Sequence, residues 1–251
     1  MWTILPVKRM RQSMRWDRLG DSCTVCTLAV LLISVQLLRA QEFTNLDFEA
    51  SYVVSSYPSS YGFDTGRARV PGWTAYHAWE AANYLGGTEL WYNNETLDAA
   101  NASLLGVNYL WQPAIVGSFS ILLKGGTASS AQYGTSGVGL GQVGQIPAMA
   151  KSITFIGLNQ NFLQVSFGGQ RLSFFTLASS GNRTRYGADV SGYAGQVGEL
   201  LFHLPISSGP ESIEGFLDHI RFSPEAIPEP NTLGLAVICA SCLWARLKSQ
   251  R

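Results

Sequence analysis

Phe162-Leu163-Gln164-Val165-Ser166-Phe167-Gly168-Gly169-Gln170-Arg171-Leu172-Ser173-Phe174 is the stretch on which the fold reading turns. Leu163, Val165 and Phe167 alternate with Phe162, Gln164 and Ser166, two glycines follow, and Leu172 and Phe174 resume the apolar face. Period two is the mark of a strand buried on one face, and paired glycines supply the positive φ of a tight primed turn. The stretch therefore predicts a β-hairpin. Working outward, Ile153 and Phe155 predict a strand entered from Ile146-Pro147, and Leu200, Phe202 and Leu204 alternate with Glu199, Leu201 and His203. Phe216 to Phe222 reads as the closing strand. Between these, Asp189 can cap a single helical turn before Gly192 and Gly195 return the chain to a strand. Helical periodicity is nearly absent from 41 to 226, so the region reads as all-β. The Gly-, Ser- and Ala-rich segment from Gly125 to Gly144 reads as a loop-rich crossover. Its Gly139-Leu140-Gly141 with Gly144 has dinucleotide-loop spacing but lacks the strand and helix that motif needs.

The two ends differ in kind from this middle. Lys8, Arg9, Arg11, Arg15 and Arg18 precede an apolar run from Cys23 to Leu38, the layout of a secretory signal peptide over residues 1–40 with Ala40 as the cleavage residue. An uncleaved signal anchor, or a start at Met10 or Met14, stays open. At the other end, Pro228-Glu229-Pro230 is followed by an uncharged run from Leu233 to Ala245, then Arg246, Lys248 and Arg251. Thirteen apolar residues span roughly 20 Å against a hydrocarbon core of about 30 Å. Snorkelling by Arg246 and Lys248 closes part of that gap, so a short transmembrane helix over 232–247 is expected. The Lys and Arg would stay on the cytoplasmic side.

All four cysteines, Cys23, Cys26, Cys239 and Cys242, lie in these apolar ends. The exported part therefore holds neither a disulfide framework nor a cysteine zinc site. Residues 41–226 number 186, enough for one sizeable core. Of the 17 basic and 17 acidic residues, the first forty hold six and two and residues 227–251 hold three and one. That leaves 8 and 14 in between, a net of −6. Such a surface lacks the electrostatic footprint of a nucleic-acid partner.

The tail, with its Pro-Glu-Pro, apolar stretch and arginine-containing end in that order, resembles the PEP-CTERM sorting signal of bacterial surface and exopolysaccharide-associated proteins. The resemblance implies that a membrane-embedded exosortase cuts near Pro228, Glu229 and Pro230, with Arg246 part of the signal. The protein would then pass through the inner membrane to the cell surface or extracellular matrix. An ordinary single-span anchor that is never cut is the alternative. The exported part, residues 43–224, resembles galactose-binding-like and related carbohydrate-binding jelly rolls in its element order: Asp47-Phe48-Glu49 early, an Ile-Pro before a central strand, a Gly-Gly hairpin, the Asp189 to Gln196 turn, and a closing Phe-Leu-Asp-x-Ile-x-Phe strand. The expected fold is an all-β, jelly-roll-type antiparallel β-sandwich flanked by the two terminal helices.

Two groups of side chains are candidates for function. Trp73, Trp79, Trp91 and Trp111 fall between 73 and 111 with seven of the ten tyrosines close by. Aromatic faces stack on sugar rings, so extracellular polysaccharide is a candidate partner, and Trp73 and Trp91 are preferred because each lies beside a turn-rich segment. Core packing uses the same residues and is the competing reading. The second group centres on Asp218. Strict alternation places it on the same face as Phe216, Ile220 and Phe222, where a carboxylate needs a partner. The resemblance implies a structural calcium held there with Asp47 and Glu49, although His219 stands where related sandwiches often have a second Asp. Acceptance of backbone N–H bonds without metal is the alternative. His77, His203 and His219 share no metal-ligand spacing, and no H-E-x-x-H or G-x-S-x-G is present. The functional expectation is a non-enzymatic carbohydrate-binding or structural matrix protein, with a secreted polysaccharide-active glycoside hydrolase as the alternative.

Overall fold

The computed structural model describes residues 41–59, 64–77, 89–94, 100–109, 113–127, 137–158, 162–209 and 211–227. The expected signal peptide, the Pro228-Glu229-Pro230 tail with Arg246 and its helix, Trp79 and Trp111 lie outside the described residues. Among those described, no helix is long and apolar enough to cross a membrane.

The strands in chain order are β1 (Tyr52–Pro58), β2 (Asp64–Arg69), β3 (Thr74–His77), β4 (Glu89–Tyr92), β5 (Ala100–Gly106), β6 (Phe119–Gly125), β7 (Val138–Gln145), β8 (Ser152–Leu158), β9 (Gln164–Phe167), β10 (Gln170–Arg171), β11 (Phe174–Ser180), β12 (Arg183–Asp189), β13 (Val197–Leu204) and β14 (Glu214–Ser223). They form a nine-stranded sheet, β1-β2-β4-β5-β6-β14-β8-β12-β11, and a five-stranded sheet, β10-β9-β13-β7-β3. The fold is all-β, with two sheets contributing to one core. Leu104, Ile121, Leu123 and Leu217 enter it from the larger sheet, and Leu140, Val165, Phe167, Leu200 and Phe202 from the smaller. Burying a side chain of this size contributes about 1.5–3 kcal/mol.

The hairpin forms as its residues dictate. Gly168 and Gly169 have φ of 54° and 78°, a doubly left-handed turn that side-chain-bearing residues resist, and Gln170 pairs with Phe167. Asp189 Oδ1 accepts the Ser191 N–H at 2.7 Å just ahead of a single 3₁₀ turn over Ser191–Tyr193, whose N-cap is Val190 and not the expected Asp189.

Two expectations are corrected. The glycine-rich segment is not a loop throughout: Val138–Gln145 is β7, a central strand of the five-stranded sheet paired with β13 and β3. Gly139 and Gly141 alternate with Val138, Leu140 and Gln142, so the outer face of the first half of the strand is bare backbone, with Val143 and Gln145 following on the same face. The closing strand also breaks the period-two rule. In β14, Asp218 pairs with Ile156 and Arg221 with Thr154, so His219 and Ile220 together oppose one residue, and His219 adopts φ 55°. This bulge sends Leu217 and Ile220 into the main core. Phe216 instead joins a second apolar cluster with Leu105, Tyr109, Ile115, Leu122 and Leu158, away from that core. Asp218, two residues from Phe216 along the strand, shares that side rather than the face of Ile220 and Phe222.

Candidate functional site

The outer side of β7 is bare at Gly139 and Gly141. On β3, Ala75 is buried in the core, so alternation turns Tyr76 outward, where it is 45% exposed. On β13 the same logic buries Leu200 and Phe202 and turns Glu199, Leu201 and His203 outward, next to Gln164 and Ser166 of β9. Gly139 and Gly141 lie between these two strands. A Cβ at Gly141 would stand 3.0 Å from Tyr76 Cε2 and 2.7 Å from Glu199 Oε1, and one at Gly139 would stand 3.1 Å from Leu201 Cδ1. The absent side chains let Tyr76, Glu199 and Leu201 lie down across the strand.

Tyr76 Oη donates to Glu199 Oε1 at 2.6 Å. That bond, with partial burial and the charge of Glu199, pushes the tyrosine up to about 12, so it stays a neutral donor at physiological pH. The result is an aromatic ring laid against backbone, its orientation fixed from one end and much of its surface open. A ring held in this way is preorganised to stack on a flat apolar partner while hydroxyl-bonding groups stand beside it.

Trp73 is corrected as a binding residue. It is fully buried, packs against Phe48 and Phe202 with ring centroids 5.5 and 6.2 Å away, and donates Nε1–H to the Asn45 carbonyl at 3.0 Å. Its position beside a turn reflects a turn that folds over the core. Trp91 of β4 is half-buried on the outer side of the other sheet, since its neighbour Leu90 enters the core. The Arg67 guanidinium lies 5.5 Å from its ring centroid, a cation–π contact that occupies one ring face. Trp91 and Tyr76 therefore face opposite sides of the domain and cannot share a groove.

Asp218 is buried outright. Its Oδ2 accepts the Val116 N–H at 2.8 Å and its Oδ1 the His219 N–H at 2.6 Å. Glu49 accepts the Ser118 N–H with both oxygens, at 2.9 and 3.1 Å, and the Phe119 N–H at 3.1 Å. Asp47 Oδ1 accepts the Glu49 N–H at 3.3 Å. Burial pushes Asp218 up to about 7, against the pull of its two N–H bonds, and the charges of Glu49 and Asp47 add to the rise. The three acids are thus electrostatically coupled, and amides of the 116–119 turn engage Glu49 and one oxygen of Asp218. Among the described residues no three His, Cys, Asp or Glu side chains are grouped to hold a metal ion. As arranged, Glu49 and Asp218 fasten the 116–119 turn through its backbone amides, and Asp47 braces Glu49.

The sequence reading missed Tyr76 and Glu199, which are 123 residues apart and meet only through β7. The signal that could have found them is the Gly-x-Gly of Gly139 and Gly141, which marks one bare strand face once β7 is read as a strand. Comparison of the chain with family models, with curated proteins and with solved structures gives no match.

Proposed function

We propose that this is an exported carbohydrate-binding or matrix protein whose glycan-binding face is the outer side of the five-stranded sheet, with Tyr76 as stacking platform. The observation that carries the reading is the Tyr76 ring laid over Gly141 and held by Glu199 at 2.6 Å. Pyranose rings present C–H faces to such a platform and hydroxyls to its rim, which here holds Glu199, His203 and Gln164. Binding is the reading favoured over glycoside hydrolysis because that chemistry requires two facing carboxylates, and among the described residues Glu199 is the one carboxylate whose charge acts on Tyr76.

The jelly-roll topology and the sorting signal belong to the same proposal. The first is supported by antiparallel pairing almost throughout and by the shared core. The second is supported by the order of Pro228-Glu229-Pro230, the uncharged run from Leu233 to Ala245 and the closing Arg246, Lys248 and Arg251 in the tail. Ser152 Oγ donates to the Glu225 carbonyl at 2.7 Å and the Ile227 side chain packs over Gly187, so the chain is held against the sheet as far as Ile227. Exosortase processing at Pro228-Glu229-Pro230 would free this body to the matrix.

Affinity electrophoresis of the protein through a panel of embedded polysaccharides tests the binding face. At least one polysaccharide should retard the wild type, and Tyr76→Ala should weaken that binding at least tenfold, about 1.4 kcal/mol, with the fold intact. Retardation that Tyr76→Ala leaves unchanged would remove the platform. Release of reducing sugar from the panel would instead favour the hydrolase.

A further inference from the structure

Both outermost described strands of the nine-stranded sheet are long and uncharged. β1 reads Tyr-Val-Val-Ser-Ser-Tyr-Pro and β11 reads Phe-Phe-Thr-Leu-Ala-Ser-Ser, seven residues each without a Lys, Arg, Asp or Glu. Their inner neighbours do carry charge: Asp64, Arg67 and Arg69 on β2, and Arg183, Arg185 and Asp189 on β12. The five-stranded sheet ends instead on strands of two and four residues, β10 and β3. An edge strand offers a row of N–H and C=O groups to any other strand, and proteins blunt it by shortness, charge, proline or bulges. The smaller sheet uses shortness at both ends. The two long edges carry a single bulge each, at Val54 and Leu177, with Pro58 closing β1, and no charge. Every residue from Val54 to Pro58 and from Thr176 to Ser180 is exposed. No described strand pairs with the outer side of either edge.

Strand direction identifies the occupant. Of the eight neighbouring pairs in this sheet, seven are antiparallel and one, β4 with β5, is parallel. Seven reversals leave β1 and β11 running in opposite directions. A second copy displaced along the sheet in the same orientation therefore brings its β1 antiparallel to the first copy's β11, the pairing that dominates within the sheet. A two-fold β1 to β1 contact would leave β11 uncovered, whereas the head-to-tail contact uses both edges. We propose that copies of this chain join edge to edge, β11 of one to β1 of the next, as an open-ended array. A seven-residue joint is about 24 Å long and buries much less than the ~1,600 Å² of a standard stable interface. Each joint is accordingly weak, and the array comes apart on dilution.

The test uses protein purified from the cells that make it, followed by sedimentation velocity over a dilution series. The wild type should form species larger than a dimer whose size falls with concentration. Val54→Lys places a charge on the β1 edge and Leu177→Lys on the β11 edge, both at exposed bulge positions, so each variant alone should be monomeric. Their equimolar mixture should form a dimer, because one intact β1 edge and one intact β11 edge remain. A wild type that is monomeric throughout overturns the proposal, as does assembly that neither lysine changes. A Leu177→Lys protein that still dimerises alone overturns the head-to-tail pairing in favour of a two-fold contact. Should either variant lose its fold by circular dichroism, Tyr57→Lys and Ala178→Lys, also on exposed positions, replace them.

Discussion

Replacing Asp218 with asparagine should change how stability depends on pH more than it changes stability at any one pH. In the folded protein Asp218 is held near 7, chiefly by burial, whereas its ordinary value is 3.8. Between those two values the folded chain keeps a proton that the unfolded chain has lost. The stability this group supplies is therefore full below about 3.8 and is lost as pH rises toward 7. At about 1.4 kcal/mol per pH unit, the interval bounds the loss at about 4 kcal/mol. Asparagine has no such titration, but its amide offers one acceptor where the carboxylate offers two to the Val116 and His219 N–H groups. One buried N–H is left unpaired, at a cost of about 1–3 kcal/mol. At pH 5 the variant should be the less stable protein, and by pH 8 the deficit should vanish or reverse. His219 titrates in the opposite sense, since burial lowers its value, but it is common to both proteins and drops out of their difference. Urea unfolding at four values from pH 5 to pH 8 measures that difference. Parallel curves for the two proteins would refute the reasoning.

Three further outcomes follow from the same geometry. Gly141→Ala, at a position without positive φ, should push Tyr76 and Glu199 aside and weaken polysaccharide binding severalfold, while thermal stability stays close to wild type because both neighbours are movable side-chain ends. Melting temperature should be the same in excess chelator and in millimolar calcium, because backbone amides already engage Asp218 and Glu49; a clear rise in calcium would restore the expected ion. Replacement of Pro228, Glu229 and Pro230 by alanine should leave the protein in the membrane fraction, and intact-mass analysis finding a native C-terminus at Arg251 in wild-type cells would contradict processing.

The parts of the fold that were legible are those where each residue has an unambiguous side. In the hairpin strand Gln164–Phe167 apolar and polar residues alternate without interruption, and in β13 Leu200, Phe202 and Leu204 keep one parity, so strand and face follow directly. β7 was misread because a glycine carries no preference for either face, and three of its eight residues are glycine. β14 was misread because a bulge leaves no trace in hydrophobic pattern: Phe216, Ile220 and Phe222 share a parity, yet His219 at φ 55° places Phe216 and Ile220 on opposite sides. The site failed in the sequence for a related reason. Trp73 and Tyr76 are three residues apart in one aromatic-rich stretch, and only the surrounding strand pairs decide that the first is core and the second surface. Asp218 stood out in the sequence as a carboxylate among apolar residues, while the amides that engage it and Glu49 come from a turn that charge pattern does not mark.

The central claim is that glycan binds across the glycine strand at Tyr76. Its most direct test is an NMR titration of the isotopically labelled protein with oligosaccharides of the polysaccharide that retards it most. The account predicts amide shifts concentrated at Tyr76, Gly139, Gly141 and Glu199, absent in Tyr76→Ala, with the region around Trp91 unmoved. Shifts concentrated at Arg67 and Trp91 instead, or a response that Tyr76→Ala leaves intact, would contradict it.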